Sequence, residues 1–112
     1  MTIETRTQDG VKIVKLTGKL GMGPALEQFN GTMHELLGQS QSKIVLDLGE
    51  TTGIDSSGIG ALVRHLTTAK RSGGSIKLLQ PADLIVQTLK MVGLLNLFPT
   101  YQDVSIAVSS FN

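Results

Sequence analysis

The chain of 112 residues has no cysteine and no tryptophan, and its aromatics are limited to three phenylalanines and one tyrosine. Without cysteine there is no disulfide, no thiol nucleophile and no thiolate metal ligand. Small secreted domains usually depend on disulfides, so a reducing compartment and a cytoplasmic location are expected. With so few rings, the core has to be built from Ile, Leu, Val and Ala. Ten Lys and Arg against nine Asp and Glu leave a net charge of +1, with no block of like charge. That is not the basic footprint of a nucleic-acid binder. No apolar run approaches the roughly 20 residues of a membrane span. The opening "MTIETRTQDG" lacks the basic and apolar regions of a secretory signal. Neither membrane insertion nor direct nucleic-acid contact is expected, and no metal-ligand cluster or cofactor motif stands out.

What is present fits one domain, residues 1–112, with a hydrophobic fraction of 40%. A domain of this size buries roughly two-thirds of the surface its unfolded chain exposes. Residues 2–8 alternate and carry β-branched types, Asp9-Gly10 is a hairpin turn signal, and residues 11–17 read as the returning strand. Residues 18–23, "GKLGMG", read as a glycine-rich loop. Pro24 suits a first helical position with Gly23 as a weak cap. Leu26, Phe29, Met33, Leu36 and Leu37 then recur at helical spacing. Residues 43–48 form a nearly all-apolar run, which suits a strand covered on both faces. A second helix runs from Ser56 or Ser57, with Ile59, Leu62, Val63, Leu66 and Ala69 on one face. Lys70 and Arg71 close it, and Gly73 is placed to end it in a left-handed conformation. Residues 75–79 form another strand, and Pro81 opens a third helix ended by Gly93. Residues 94–98 fit a short strand or a loop, and residues from Val104 fit a last helix. Strands alternating with helices imply parallel crossovers. The expected fold is α/β, a single domain with a mixed sheet, an N-terminal hairpin and about four helices.

The chemistry gathers in "TTGIDSSGIGALV", residues 51–63. A buried strand ends near Leu48 and a helix begins at Ser56 or Ser57. The connection therefore lies outside the carboxyl end of a strand, where ligand sites of α/β sheets tend to gather. A helix start offers unpaired N–H groups and the positive end of the helix dipole, which stabilise an anion. Asp55 or Ser56 is a natural N-cap. Gly58 and Gly60 cost roughly 1 kcal/mol each in helix propensity and open the first turn to close approach. The bland reading is that one residue caps the helix and the glycines pack. One cap, however, does not require Asp-Ser-Ser.

Enzyme motifs fail here. Neither serine has the glycines of a nucleophile elbow, and no P-loop exists. His65 would lie roughly 12 Å along the helix axis from its start. His34 is distant in sequence. Each histidine is expected to be a surface or half-buried helix residue. "GMGPAL" at 21–26 lacks the third glycine of a dinucleotide-binding turn. The chain is not expected to be an enzyme.

"IVLDL" followed by "GIDSSGIGALV" resembles the core signature of the STAS family, and specifically its bacterial anti-sigma factor antagonists. "LTGKL" at 16–20 and "RSGGSIKLLQPADLIVQTLKMVGLLNLF" at 71–98 extend the likeness over nearly the whole chain. The resemblance implies that Ser56, the serine after Asp55, is phosphorylated by a partner that is both anti-sigma factor and GHKL-type serine kinase. A serine phosphatase would reverse the modification. The unphosphorylated form would bind the anti-sigma factor and so release a sigma factor. Asp55, Ser57, Gly58 and Gly60 would form the partner surface, with Gly21, Met22 and Gly23 on the adjoining loop. Met22 is either an adaptable apolar contact or a core residue tucked under the loop. One departure stands out: the antagonists usually carry an aspartate where this chain has Gly21.

Two other readings belong to different classes. A STAS domain can be a fixed, unphosphorylated subunit of an ABC-type lipid transport complex, meeting the ATPase through the same loop. A nucleotide-binding module is the third, and it lacks a P-loop. No long apolar edge is evident, so a monomer is expected.

Overall fold

The computed structural model describes all 112 residues. Strands β1 (Thr2–Gln8) and β2 (Val11–Leu20) form a hairpin. Its turn has positive φ at both Asp9 (50°) and Gly10 (79°), the two-residue geometry that follows strand twist. Helix α1 (Pro24–Gly38), strand β3 (Lys43–Asp47), strand β4 (Thr51–Ile54) and helix α2 (Ser56–Arg71) follow. Strand β5 (Ser75–Leu79), helix α3 (Asp83–Met91), a 3-10 turn at Leu95–Leu97, strand β6 (Thr100–Tyr101) and helix α4 (Val104–Ser109) complete the chain. The sheet runs β1-β2-β3-β5-β6, antiparallel in the hairpin and parallel beyond it.

The expected α/β architecture with a mixed sheet and four helices is therefore present. Alternation along the strands divides the core in two. Val14, Leu16, Ile44, Leu46, Ile76 and Leu78 face α1, α2 and α3, and pack with Phe29, Met33, Leu62, Leu66, Ile85 and Leu89. Val11, Ile13, Val45 and Leu79 face the other way, onto Ala107 and Val108 of α4. No helix is long and apolar enough to cross a membrane.

Three boundaries differ from the sequence reading. First, β2 continues to Leu20 rather than stopping at residue 17. At Gly18 (φ 107°) the register shifts, and Gly18, Lys19 and Leu20 then pair with β4. The extra residue is Thr52 of β4, which falls between the Gly18–Thr51 and Lys19–Gly53 pairs. Second, residues 51–54, read as loop, form β4 alongside that extension. Third, α3 begins at Asp83, not Pro81. Ala82 donates its N–H to the Leu48 carbonyl at 3.1 Å, which holds the Pro81–Ala82 step extended against the end of β3. The open reading of residues 94–98 resolves into the 3-10 turn.

Candidate functional site at the start of helix α2

The bulge at Gly18 and the strand β4 together aim two chain segments at one place. The β2–α1 connection, residues 21–23, and the β4–α2 junction at Asp55 both leave the sheet at its carboxyl end. Asp55 N–H donates to the Leu20 carbonyl at 3.3 Å, which fixes the junction to the end of β2. Asp55 is the N-cap of α2, with extended backbone (φ −100°, ψ −179°). Its Oδ1 accepts from Gly58 N–H at 2.9 Å, the bond that satisfies a first-turn donor. Its Oδ2 accepts from Met22 N–H, also at 2.9 Å. One carboxylate thus caps the helix and ties down the neighbouring loop. The Met22 amide, then the Gly58 amide, hold the Asp55 carboxyl below the usual carboxylate range.

Ser56 is the first residue of α2 and its side chain is exposed. Ser57 follows, half-buried. Gly58 is buried, and a Cβ there would lie 2.5 Å from the Leu20 carbonyl oxygen and 2.8 Å from Ile54 Cγ1. Its lack of a side chain lets α2 sit against the end of β2. The expectation that Gly58 forms part of an open surface does not fit this burial. Gly60 is half-buried, with Arg64 Nη1 3.4 Å from the position of a Cβ.

On the other segment, Gly21 is buried directly beneath the Asp55 carboxylate. A Cβ on Gly21 would lie 2.9 Å from Asp55 Oδ2. Met22 is 78% exposed, which excludes the core alternative for this side chain. Gly23 (φ 109°) turns the chain into α1, and Pro24 opens that helix as expected. Lys19, Gly21, Met22, Pro24, Ala25 and Asp55 line a shallow depression of about 160 Å³. The structure therefore brings Gly21, Met22, Gly23, Asp55 and Ser56 to one end of the sheet, with Gly58 beneath them.

Sequence reasoning missed Lys19, which reaches this depression because β2 continues past Gly18 to pair with β4. The only signal was the spacing of Leu16 and Leu20 around Gly18. It also misjudged His65. That ring is buried between α1 and α2, and its Nε2–H donates to Asn30 Oδ1 at 2.7 Å. Phe29 and His34 each meet it edge-on, at 5.4 Å between centroids. Desolvation, followed by the charges of His34 and Arg64, lowers its pKa to about 4. The ring is a neutral element of helix packing, not a base directed at Ser56.

Comparison with known proteins agrees with this architecture. Residues 2–107 match the family model of the STAS domain. A putative anti-sigma factor antagonist from Thermotoga maritima superposes with a TM-score of 0.89 at 24% identity, over 97% of this chain and 93% of that one. The anti-sigma factor antagonist SpoIIAA in its unphosphorylated form gives a TM-score of 0.82 at 18% identity, over 97% and 95% of the two chains. The Bacillus cell fate determinant SpoIIAA in its phosphorylated form gives 0.76 at 18% identity, over 99% of this chain and 100% of that one. At these identities the superpositions speak for the fold alone, whereas the family match spans nearly the whole sequence. The chain belongs to the STAS domain family.

Proposed function

We propose that this protein is an anti-sigma factor antagonist, an interaction switch governed by phosphorylation of Ser56. The observation that carries the reading is the exposed Ser56 hydroxyl on the first residue of α2, beside a capping carboxylate that also ties down the Met22 loop. The partner is a GHKL-type serine kinase that doubles as the anti-sigma factor, and a serine phosphatase resets the switch. SpoIIAA, a structural neighbour, occurs in both phosphorylated and unphosphorylated forms, which supports the reading by analogy of fold.

The physics of the switch follows from the cap. A phosphate adds about −1.5 to −2 charges at pH 7. At the first turn of α2 the helix dipole tolerates that charge, so the domain itself need not refold. Asp55 already occupies the Gly58 and Met22 amides, so the new charge stands next to an ionised carboxylate rather than replacing it. A partner packing on Ser56 and the exposed Met22 thioether then meets bulk and concentrated negative charge where it met a small hydroxyl. Ser57, Gly60, Gly21 and Gly23 frame this contact, and Gly58 acts beneath it by setting how close α2 lies to β2.

The test is a pull-down from the native host's lysate with wild-type, Ser56→Ala and Ser56→Asp baits, with mass spectrometry of the captured proteins and of the Ser56 peptide. The expected result is a GHKL-type kinase retained by wild type and Ser56→Ala, lost with Ser56→Asp, and phosphate on Ser56. Membrane ATPase subunits held equally by all three baits, with Ser56 unmodified, would replace this reading with that of a fixed structural subunit.

A further inference from the structure

We infer that two copies of this chain associate through strand β1, edge to edge and antiparallel about a two-fold axis centred on Thr5. Strand β1 pairs only with β2, so its other edge is free. Most of its residues are exposed. Natural edge strands are usually blunted by charged side chains, proline, a bulge or a covering element. Residues 2–8, "TIETRTQ", contain no proline, their register with β2 is unbroken, and their two charges, Glu4 and Arg6, are of opposite sign.

The free backbone groups can be assigned from the turn. In a two-residue hairpin the closing pair, here Gln8 and Val11, exchanges both backbone bonds, and bonded pairs then alternate. Gln8, Arg6, Glu4 and Thr2 therefore direct their backbone groups at β2. Ile3, Thr5 and Thr7 direct theirs outward. An antiparallel copy centred on Thr5 sets Thr5 against Thr5 and Ile3 against Thr7, and every outward N–H and C=O finds a partner.

The side chains select this register. It places Glu4 of each copy opposite Arg6 of the other, in the closer, non-bonded pairing positions. Two ion pairs form by symmetry. Neither Glu4 nor Arg6 has an ion-pair partner within its own chain, where the one ion pair joins Lys15 to Glu50. Sliding by one pairing step centres the contact on Glu4 or on Arg6, and sets like charges face to face. Both neighbouring registers are thus disfavoured, and the two-fold arrangement closes on itself. An interface of one strand per copy is at the small end of protein contacts, so the dimer dissociates readily.

Sedimentation of the full chain from the micromolar to the millimolar range tests this. Wild type should pass from monomer to dimer mass as concentration rises. Glu4→Arg should weaken association by about tenfold or more, because it turns two attractive pairs repulsive. The swapped double variant Glu4→Arg/Arg6→Glu should restore it. Thr5→Pro, which removes a donor that faces outward, should leave a monomer; circular dichroism checks that it remains folded, and the charge series decides if it does not. Monomer mass throughout the range, or association unaffected by Glu4→Arg, would overturn the inference.

Discussion

Met22 and Asp55, 33 residues apart in the chain, are joined by a 2.9 Å hydrogen bond from the Met22 amide to Asp55 Oδ2. That bond couples the backbone of the loop before α1 to the cap of α2, so the Asp55 carboxylate helps set the path of the chain at Met22. Replacing Asp55 by asparagine keeps one acceptor oxygen. If that oxygen caps Gly58, the new amide faces the Met22 N–H, donor against donor. Asp55→Asn should therefore leave α2 capped and speed hydrogen exchange at the Met22 amide, while the Gly58 amide stays protected. Equal protection of both amides in wild type and variant would show that the loop is held by other means.

Gly21 presents the opposite constraint. Any side chain there meets the Asp55 carboxylate, 2.9 Å from the position of the added Cβ. Gly21→Asp also sets a second carboxylate beside the first. The expected outcome is loss of the Met22–Asp55 bond, an upward shift of the Asp55 pKa from its depressed position, and a lower melting temperature. Gly21→Ala should show a smaller loss, on the order of 5 °C for a domain of this size. A pH titration of the Asp55 carboxyl by NMR and a thermal melt of each variant provide the readouts.

The two glycines of the first turn of α2 should respond in opposite directions. Gly58→Ala forces a methyl against the Leu20 carbonyl, which is backbone and cannot swing away. The expected loss is about 3 kcal/mol, at the upper end for overpacking. Gly60→Ala meets only the far end of the flexible Arg64 side chain. Its gain in helix propensity is about 0.5–1 kcal/mol. Denaturant unfolding of the two variants measures both. If Gly60 also lies in the proposed partner contact, Gly60→Ala should weaken binding while stabilising the fold.

Most of this architecture was legible because its signals are local. Asp9-Gly10, Pro24 and Gly73 mark turns and helix ends, and the helical spacing from Phe29 to Leu36 and from Leu62 to Ala69 marks core faces. The placement of Asp55 and Ser56 at the start of α2 was legible because a cap and a first helical residue are local features. What escaped depends on contacts distant in sequence. Strand β4 has four residues, "TTGI", and is held as a strand by pairing with Gly18, Lys19 and Leu20 at the end of β2, more than 30 positions earlier. The late start of α3 depends on the Leu48 carbonyl holding Ala82. The burial of Gly58 depends on Leu20, 38 positions earlier by their numbers in the chain. The buried His65 needed Asn30 on a different helix, and no pattern within α2 distinguishes it from a surface histidine.

That histidine sets the last expectation. Its folded pKa of about 4 lies below the ordinary value of 6.5, chiefly because burial disfavours the charged ring. Between these values the unfolded chain binds a proton that the folded chain does not, so stability rises with pH across this window and falls as pH is lowered through it. The contribution is fully present above pH 6.5 and is lost progressively towards pH 4. The loss should be on the order of 2 kcal/mol. His65→Gln removes the titration while keeping an N–H that can reach Asn30 Oδ1. The variant should therefore be less stable than wild type near neutral pH, through poorer packing against Phe29 and His34. The difference should narrow as pH falls from 6.5 to 4. Denaturant midpoints for both proteins across that range measure the convergence. Parallel curves would mean that His65 titrates alike in the folded and unfolded chains, and that its burial does not restrain protonation.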